Sequence, residues 1–503
     1  NGLDSKTAGG GSNSARQQSQ EDCSNNSTHS LTGEVLSKLS DYHHDAVHHG
    51  LRNDGMNHCF LNCVIQALWS LQTFRERFLA APEHEHSNTN QEEAEFSRDG
   101  GVDAIDAECS DSVEHCCYCA LKSVFKEYKY SEAESLPPDV LRTALSNIYT
   151  DRGRFKLGEM EDATETIEVL LDILHASSLA SEHSERRVGS PSTCRDCPSS
   201  SSTCAVPERE QRTPSNRQIV PCAEIIERVS TLACQPPCIA HEVFGIEYVD
   251  LPRCSFCHAT GEPTVTSSFL YPVYVAELLA HCGAVEETTS SSFDDPLSAM
   301  SESMARISAK FSCCKHQLQE AMWKMCQRSI AQKCPECNSR LTMESERWLT
   351  RRPCTFLVSL VWPNSSPSRD QLWMVMSTLQ SQVWMDQIFR TETNGSRSAS
   401  STSSSRHSSE DAYMLCGLIC YFGMHYIAIF WNWPLMKWML FDDSSVRQEQ
   451  DWSSVVQILI AGHYVPTLLF YERLEGRIPV AQVDEFMKQV ANLEDRRGSC
   501  TTM

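Results

Sequence analysis

This chain of 503 residues predicts an α+β fold, and three stretches carry that prediction. From about Leu61 the apolar positions Val64, Leu68, Leu71 and Phe78 recur at helical spacing. Beyond Pro237 the pattern changes to short aliphatic and aromatic runs, Val243 to Val249, Phe269 to Val275 and Phe356 to Trp362, which read as strands. Met414 to Phe441 is long and apolar enough to cross a bilayer, but Gly423, His425, Asn432, Pro434 and Lys437 divide it. Three buried antiparallel strands explain it better than a membrane span.

Each element follows in order. Residues 1–47 begin with a stretch rich in Ser, Asn, Gln and Gly, too poor in apolar positions for a core, and predict disorder. The folded region is expected over 48–473, with insertions near 82–111, 176–224, 283–305 and 391–411. The Cys59 helix comes first. Cys119 to Tyr130 and Leu136 to Ile148, the latter with a Pro-Pro start, are helical. Ile167, Leu170, Leu171 and Leu174 form one apolar face over Met160 to His175, behind the acidic opening Glu161-Asp162. Lys315 to Cys326 is a helical piece among the strands, and residues 474–503 hold a closing helix, Val480 to Leu493, and a fraying tail.

A balance of 43 basic against 66 acidic side chains, net −23, argues against nucleic acid or an anionic membrane and favours a basic protein partner. The 25 cysteines are odd in number. Several form C-x-x-C pairs, which suits metal binding in a reducing, intracellular and cytoplasmic setting rather than secretion. The chain opens at Asn1 without a signal segment, so the natural N-terminus is expected upstream.

Cys59 carries the first chemical signal. A polar, Gly-containing loop from Gly50 delivers it to the mouth of a helix, where unpaired amides and the dipole favour thiolate. The alternative is a core cysteine packed as a small hydrophobe. Partners elsewhere favour the first reading. In Gly423-Met424-His425-Tyr426 a histidine sits between apolar strand segments, and Lys437 to Asp443 ends in an acidic pair. A hairpin joining these strands would set Asp442 beside His425, giving a thiol, a base and a group that orients the base. Gly462-His463-Tyr464 is a competing histidine, but no aspartate motif follows it.

These segments resemble the ubiquitin-specific proteases, nearest the subfamily of members fifty-three and fifty-four. Gly50 to Asn62 resembles that family's cysteine box with one extra residue, Gly423 to Tyr426 its histidine box, and Trp438 to Val446 its aspartate motif. Further likeness runs through Cys119-Ala-Leu-Lys, Phe155-Lys-Leu-Gly with Met160 to Ala163, Cys238 to Gly245 and Gly462 to Phe470. The resemblance implies a papain-like fold with a helical thumb, a β palm and zinc-bearing fingers. It implies hydrolysis of isopeptide bonds at the C-terminal glycine of ubiquitin, with ubiquitin and ubiquitinated proteins as partners. Cys59 would be the nucleophile, His425 the base and then acid, and Asp442 the orienting carboxylate, with Asp443 solvated or bonded locally. The oxyanion donor would be Asn53, six residues before Cys59 where the family has five, or Asn57. The slip, and His58 beside the nucleophile, keep open a catalytically weak or inactive ubiquitin-binding scaffold; a zinc-dependent interaction module is the other rival.

Cys254-x-x-Cys257 and Cys334-x-x-Cys337 are two knuckles whose four thiolates suit structural zinc. The long stretch between them fits the fingers of the resembling family. Cys116-x-x-Cys119 and Cys238-x-x-His241 would make a second site if the fold unites them, or are core residues. Cys194 and Cys197 are incidental, and His43, His44, His48 and His49 form a solvated flank.

Overall fold

A computed structural model describes residues 49–84, 116–188, 234, 237–257, 259–281, 318–340, 343–379, 381–391 and 412–473. The expected disordered segment 1–47, the insertions near 283–305 and 391–411 apart from residue 391, most of those near 82–111 and 176–224, and the closing helix 480–493 lie outside these residues.

Strand β1 (Gly50–Leu51) leads to helix α1 (Cys59–Ser70), followed by α2 (Gln72–Ala80), α3 (Cys117–Tyr130), β2 (Ser135–Leu136), α4 (Asp139–Ile148) and α5 (Ala163–Val188). Asp162 starts α5 by accepting the amides of Thr164 at 2.7 Å and Glu165 at 3.0 Å. The helix passes His175, where an insertion was expected, because nothing before Gly189 breaks it. Next come α6 (Ile239–Val243), β3 (Ile246–Cys254), β4 (Thr264–Ser268), β5 (Leu270–Tyr274), α7 (Val275–His281), α8 (Leu318–Met325), β6 (Gln327–Ile330), β7 (Met343–Arg351) and β8 (Thr355–Val361). The strand expected from Val243 therefore begins three residues later, after a short helix. The remainder is α9 (Arg369–Thr378), β9 (Gln382–Trp384), α10 (Met385–Ile388), β10 (Ala412–Phe422), β11 (His425–Asn432), β12 (Lys437–Asp442), β13 (Ser445–Glu449), α11 (Trp452–Gly462) and β14 (Val465–Arg473).

Residues 414–441 fall in β10, β11 and β12, three antiparallel neighbours, and among the described residues no helix is long and apolar enough to cross a membrane. The large sheet runs β13-β12-β11-β10-β14-β8-β5, with β9 beside the start of β10 and only β5–β8 parallel. Its faces alternate residue by residue. Ala428, Phe430, Met439, Phe441, Leu468 and Phe470 pack with the helical side that includes α1, α3, α4 and α5. Ile427, Ile429, Trp431, Trp438, Leu440 and Leu469 pack on the other face against residues of α7, α8, α9 and α11. Burial on both faces removes the polar alternation of a half-exposed strand, which is why the run imitates a membrane segment.

A second sheet, β4-β3-β7-β6, is antiparallel throughout. Met343 pairs with both Cys254 and Ile330, so the turns after β3 and β6 meet at one end. The fold has the helical thumb, β palm and finger sheet of the papain-like arrangement.

Candidate active site

Cys59 is the first residue of α1 and 2% exposed. No side chain caps this helix, and its first turn has no acidic residue. The opening amides are thus uncompensated by a carboxylate, and the sulfur stands at the positive end of the helix dipole. α1 lies along β11, whose first residue is His425.

The β11–β12 register pairs Ala428 with Phe441. Asp442 follows Phe441 as the last residue of β12. The His425 Nε2 lies 2.7 Å from Asp442 Oδ1, and Cys59 is the next side chain that acts on this ring. Since Asp442 holds Nε2, Nδ1 is the nitrogen available to the sulfur. The Asp442 hydrogen bond, and after it that of Cys59, push the imidazole up to about 10 against the opposing effect of burial. The same bond to His425 lowers the Asp442 carboxyl. Both shifts favour an imidazolium paired with an ionised Asp442 carboxylate. His463, the competing histidine, instead ends α11 in the left-handed region, with φ 57°.

Similarity to known proteins agrees with this geometry. Residues 49–471 match the family profile described as ubiquitin carboxyl-terminal hydrolase. The chain belongs to that family. It is 26% identical over 438 residues to ubiquitin carboxyl-terminal hydrolase 54 of Rattus norvegicus, covering 86% of this chain but 21% of that protein. It is 24% identical over 444 residues to ubiquitin carboxyl-terminal hydrolase 53 of Homo sapiens, covering 88% of this chain and 31% of that one. The chain thus spans under a third of the length of these relatives. A similar solved structure, the SAGA Ubp8/Sgf11/Sus1/Sgf73 DUB module bound to ubiquitin aldehyde, has a TM-score of 0.50 at 14% identity, over 89% of this chain and 76% of that one. That likeness concerns the fold.

In this member of the ubiquitin carboxyl-terminal hydrolase family, Asp443 is half-buried and bonded to distant residues rather than locally. Its carboxylate accepts Asn53 Nδ2 at 2.7 Å and Asn62 Nδ2 at 2.8 Å, and its carbonyl accepts the Leu51 amide at 2.9 Å. The residue therefore ties the cysteine loop and α1 to the strand that carries Asp442. Close approach at the same junction explains Gly50, where a Cβ would lie 2.3 Å from the Ser444 carbonyl oxygen.

Both oxyanion candidates have other partners. Asn53 donates to Asp443 and accepts the His58 amide at 2.7 Å, so one N–H of its amide is committed and one remains. Asn57, exposed and at φ 57°, donates to the Gly158 carbonyl at 2.8 Å, a partner the sequence did not suggest. Gly158 belongs to a loop held by Arg142, 1% exposed, which donates to the carbonyls of Phe155 at 2.6 Å, Glu159 at 2.9 Å and Lys156. Sequence reading missed Arg142 because an arginine on an amphipathic helix ordinarily faces solvent. Burial and then this guanidinium depress the His58 imidazole, which favours its neutral form beside Cys59. Tyr426, next to His425, donates its hydroxyl to Asp162 at 2.9 Å. Asp162 also borders a cleft of 430 Å³ lined by Trp362, Tyr421, Val465 and Thr467 among others.

The cysteine clusters separate from this centre. Cys254, Cys257, Cys334 and Cys337 converge, with sulfurs 3.8 Å apart for Cys254 and Cys337 and 3.4 Å for Cys257 and Cys334. Zn–S bonds of about 2.3 Å at tetrahedral angles give sulfur separations of about 3.8 Å, so the four suit structural zinc. The expected union of Cys116 and Cys119 with Cys238 and His241 does not occur. Cys116 and Cys119 group with His84, whose Nδ1 is 3.3 Å from Cys116 Sγ, whereas Cys238 and His241 group with His175 and Cys234. Local C-x-x-C and C-x-x-H spacing cannot reveal which pairs the tertiary fold unites.

Proposed function

We propose that this chain is a cysteine deubiquitinase that hydrolyses isopeptide bonds at the C-terminal glycine of ubiquitin. The observation that carries the proposal is the Cys59–His425–Asp442 arrangement, with His425 bonded to the Asp442 carboxylate at the start of the strand that packs against the helix Cys59 opens. The Cys59 thiolate attacks the glycine carbonyl, and the His425 imidazolium protonates the departing lysine amine. Water, deprotonated by the now neutral imidazole, then attacks the acyl carbonyl and releases the sulfur. Opening amides of α1, with the remaining N–H of Asn53, would face the developing oxyanion. The cleft beside Asp162 is suited to an extended tail, and the carboxylate to basic side chains near its end. Zinc at the four finger cysteines would hold the finger sheet against the globular part of ubiquitin; its role would be structural.

The commitment of Asn53 to Asp443 and of Asn57 to Gly158 favours a second reading, a ubiquitin-binding scaffold with little turnover. A ubiquitin carrying a C-terminal electrophile separates the two. Covalent labelling that disappears in Cys59→Ala is the expected result; tight ubiquitin binding with no labelling of the wild-type chain would favour the scaffold and overturn the hydrolase reading.

A further inference from the structure

We propose that Met56 and Leu157 form a docking surface for the acceptor ubiquitin, the one that carries the modified lysine and departs when the isopeptide bond is broken. The inference rests on the deubiquitinase reading above and extends it to the leaving side of the scissile bond. Both side chains are large, apolar and open to solvent, Met56 being 43% exposed and Leu157 56% exposed. Met56 lies three residues before Cys59. Its neighbour Asn57 donates to the carbonyl of Gly158, the neighbour of Leu157, so the two apolar residues stand on loops that are fastened together.

Single exposed apolar residues are ordinary on a protein surface. What sets this pair apart is the rigidity of the frame that holds it out. Around Met56 the backbone is left-handed at Asp54 (φ 29°), Gly55 (75°) and Asn57 (57°), and the Met56 amide closes a turn onto the Asn53 carbonyl at 2.6 Å. The other loop is left-handed at Gly153 (64°), Gly158 (81°) and the buried Phe155 (54°), whose amide donates to the Glu161 carboxylate at 2.7 Å. Non-glycine residues persist in this region only where their surroundings fix them. Arg142 supplies that constraint: it donates to three carbonyls of the second loop, and its guanidinium lies 5.2 Å from the ring of Phe60, the residue after Cys59. Apolar side chains on a frame already ordered lose little further freedom when a partner covers them, so they suit recognition of a folded protein.

The cleft beside Asp162 fixes which partner this is. Its lining comes from the start of α5, from β8 and the segment after it, and from β10 and β14, not from the cysteine loop. A tail lying there brings its last carbonyl to Cys59 from the palm, and the loop that ends in His58 is left to border the departing amine. Charge agrees with that assignment. Asp54 and Asp139 are exposed and close enough to act on the His58 ring, whereas Arg52 of the same loop is held at the Ser135 carbonyl at 3.4 Å. An apolar pair edged by carboxylates complements an apolar patch edged by basic side chains, and the acceptor necessarily presents a lysine here.

The test compares two substrates that differ in what departs: isopeptide-linked diubiquitin, in the linkage the wild-type chain cleaves fastest, and ubiquitin bearing a C-terminal aminocoumarin, whose leaving group is too small to reach the loops. In the full chain, Met56→Ser with Leu157→Ser should lower kcat/KM on diubiquitin about tenfold, chiefly through KM, and leave the coumarin substrate within about twofold of wild type. Met56→Leu with Leu157→Met, which keeps the apolar area, should restore diubiquitin cleavage. An equal loss on both substrates would reduce the loops to supports of Cys59 and overturn the proposal, as would unchanged diubiquitin cleavage. A second measurement needs no turnover. In a Cys59→Ala chain the two serine substitutions should weaken binding of diubiquitin and not of monoubiquitin; equal affinity for diubiquitin with and without them overturns the docking surface, whereas a wild-type chain that cleaves neither substrate overturns the hydrolase reading on which it rests.

Discussion

In the large sheet, Phe430 and Phe470 meet with ring centroids 5.0 Å apart, and neither is exposed by more than 1%. In the finger sheet Val265 is 63% exposed, and in the turn after β3 Phe256 is 74% exposed. Beyond Ile246 and Tyr248 of β3, which join the palm core, the buried apolar cluster there consists of Cys254, Cys334 and Met343, two of them proposed metal ligands. The palm has enough two-sided burial to hold itself together. The fingers do not, and a sheet with so small a core needs another source of stability.

Metal removal should separate the two regions most widely. In Cys334→Ser, amide exchange should accelerate over β3, β4, β6 and β7 while β10 to β14 stay protected; loss of a structural zinc is worth roughly 10–16 kcal/mol in small metal-folded peptides. Uniform protection in both sheets would erase the contrast. The reciprocal change is Phe430→Ala, expected to cost about 3–5 kcal/mol in urea unfolding. It should leave the finger zinc in place.

A smaller effect is expected at the junction of thumb and palm. Asp443→Ala strips the acceptor from Asn53 and Asn62, and leaving such donors unpaired costs about 1–3 kcal/mol. Thermal unfolding measures that loss, and slower alkylation of Cys59 would report the displaced loop. Unchanged alkylation would limit Asp443 to stability.

The smallest effect on folding, and a diagnostic one, is in pH dependence. His425 is raised in the folded protein, so its contribution to stability is complete below its unfolded value of about 6.5 and disappears as pH rises through about 10. The lowered Asp442 contributes above the ordinary carboxylate range, about 3.9, and loses its contribution as pH falls through its depressed value. Asp442→Asn removes the largest influence raising His425. The alkaline limb of hydrolysis should move down from about pH 10 in that variant, as followed by kcat/KM against pH. An unmoved limb would assign it to another group.

Legibility in the sequence followed the range of each interaction. Cys59 was readable because helix phase and the preceding loop are local. His425 and Asp442 were readable because β11 and β12 are joined by one turn, so spacing nearly determines their approach. Asp443 was misjudged because its partners Asn53 and Asn62 lie 390 and 381 positions away. The second cysteine cluster failed for the same reason. Cys238 and His241 announce a knuckle, but His175 is one residue of an amphipathic helix and carries no local mark of a ligand. The strand region was legible as strands, since two-sided burial writes itself as unbroken apolar runs; the helices α9 and α11 that cover it were overlooked.

The most direct test of the central claim is kcat/KM on an isopeptide-linked diubiquitin, measured for the wild-type chain, Cys59→Ala and His425→Ala, with circular dichroism as a check on folding. The account predicts turnover by the wild-type chain and loss of at least about 1,000-fold in each folded variant. Turnover surviving in Cys59→Ala would contradict it, as would a folded wild-type chain that binds diubiquitin and leaves it whole.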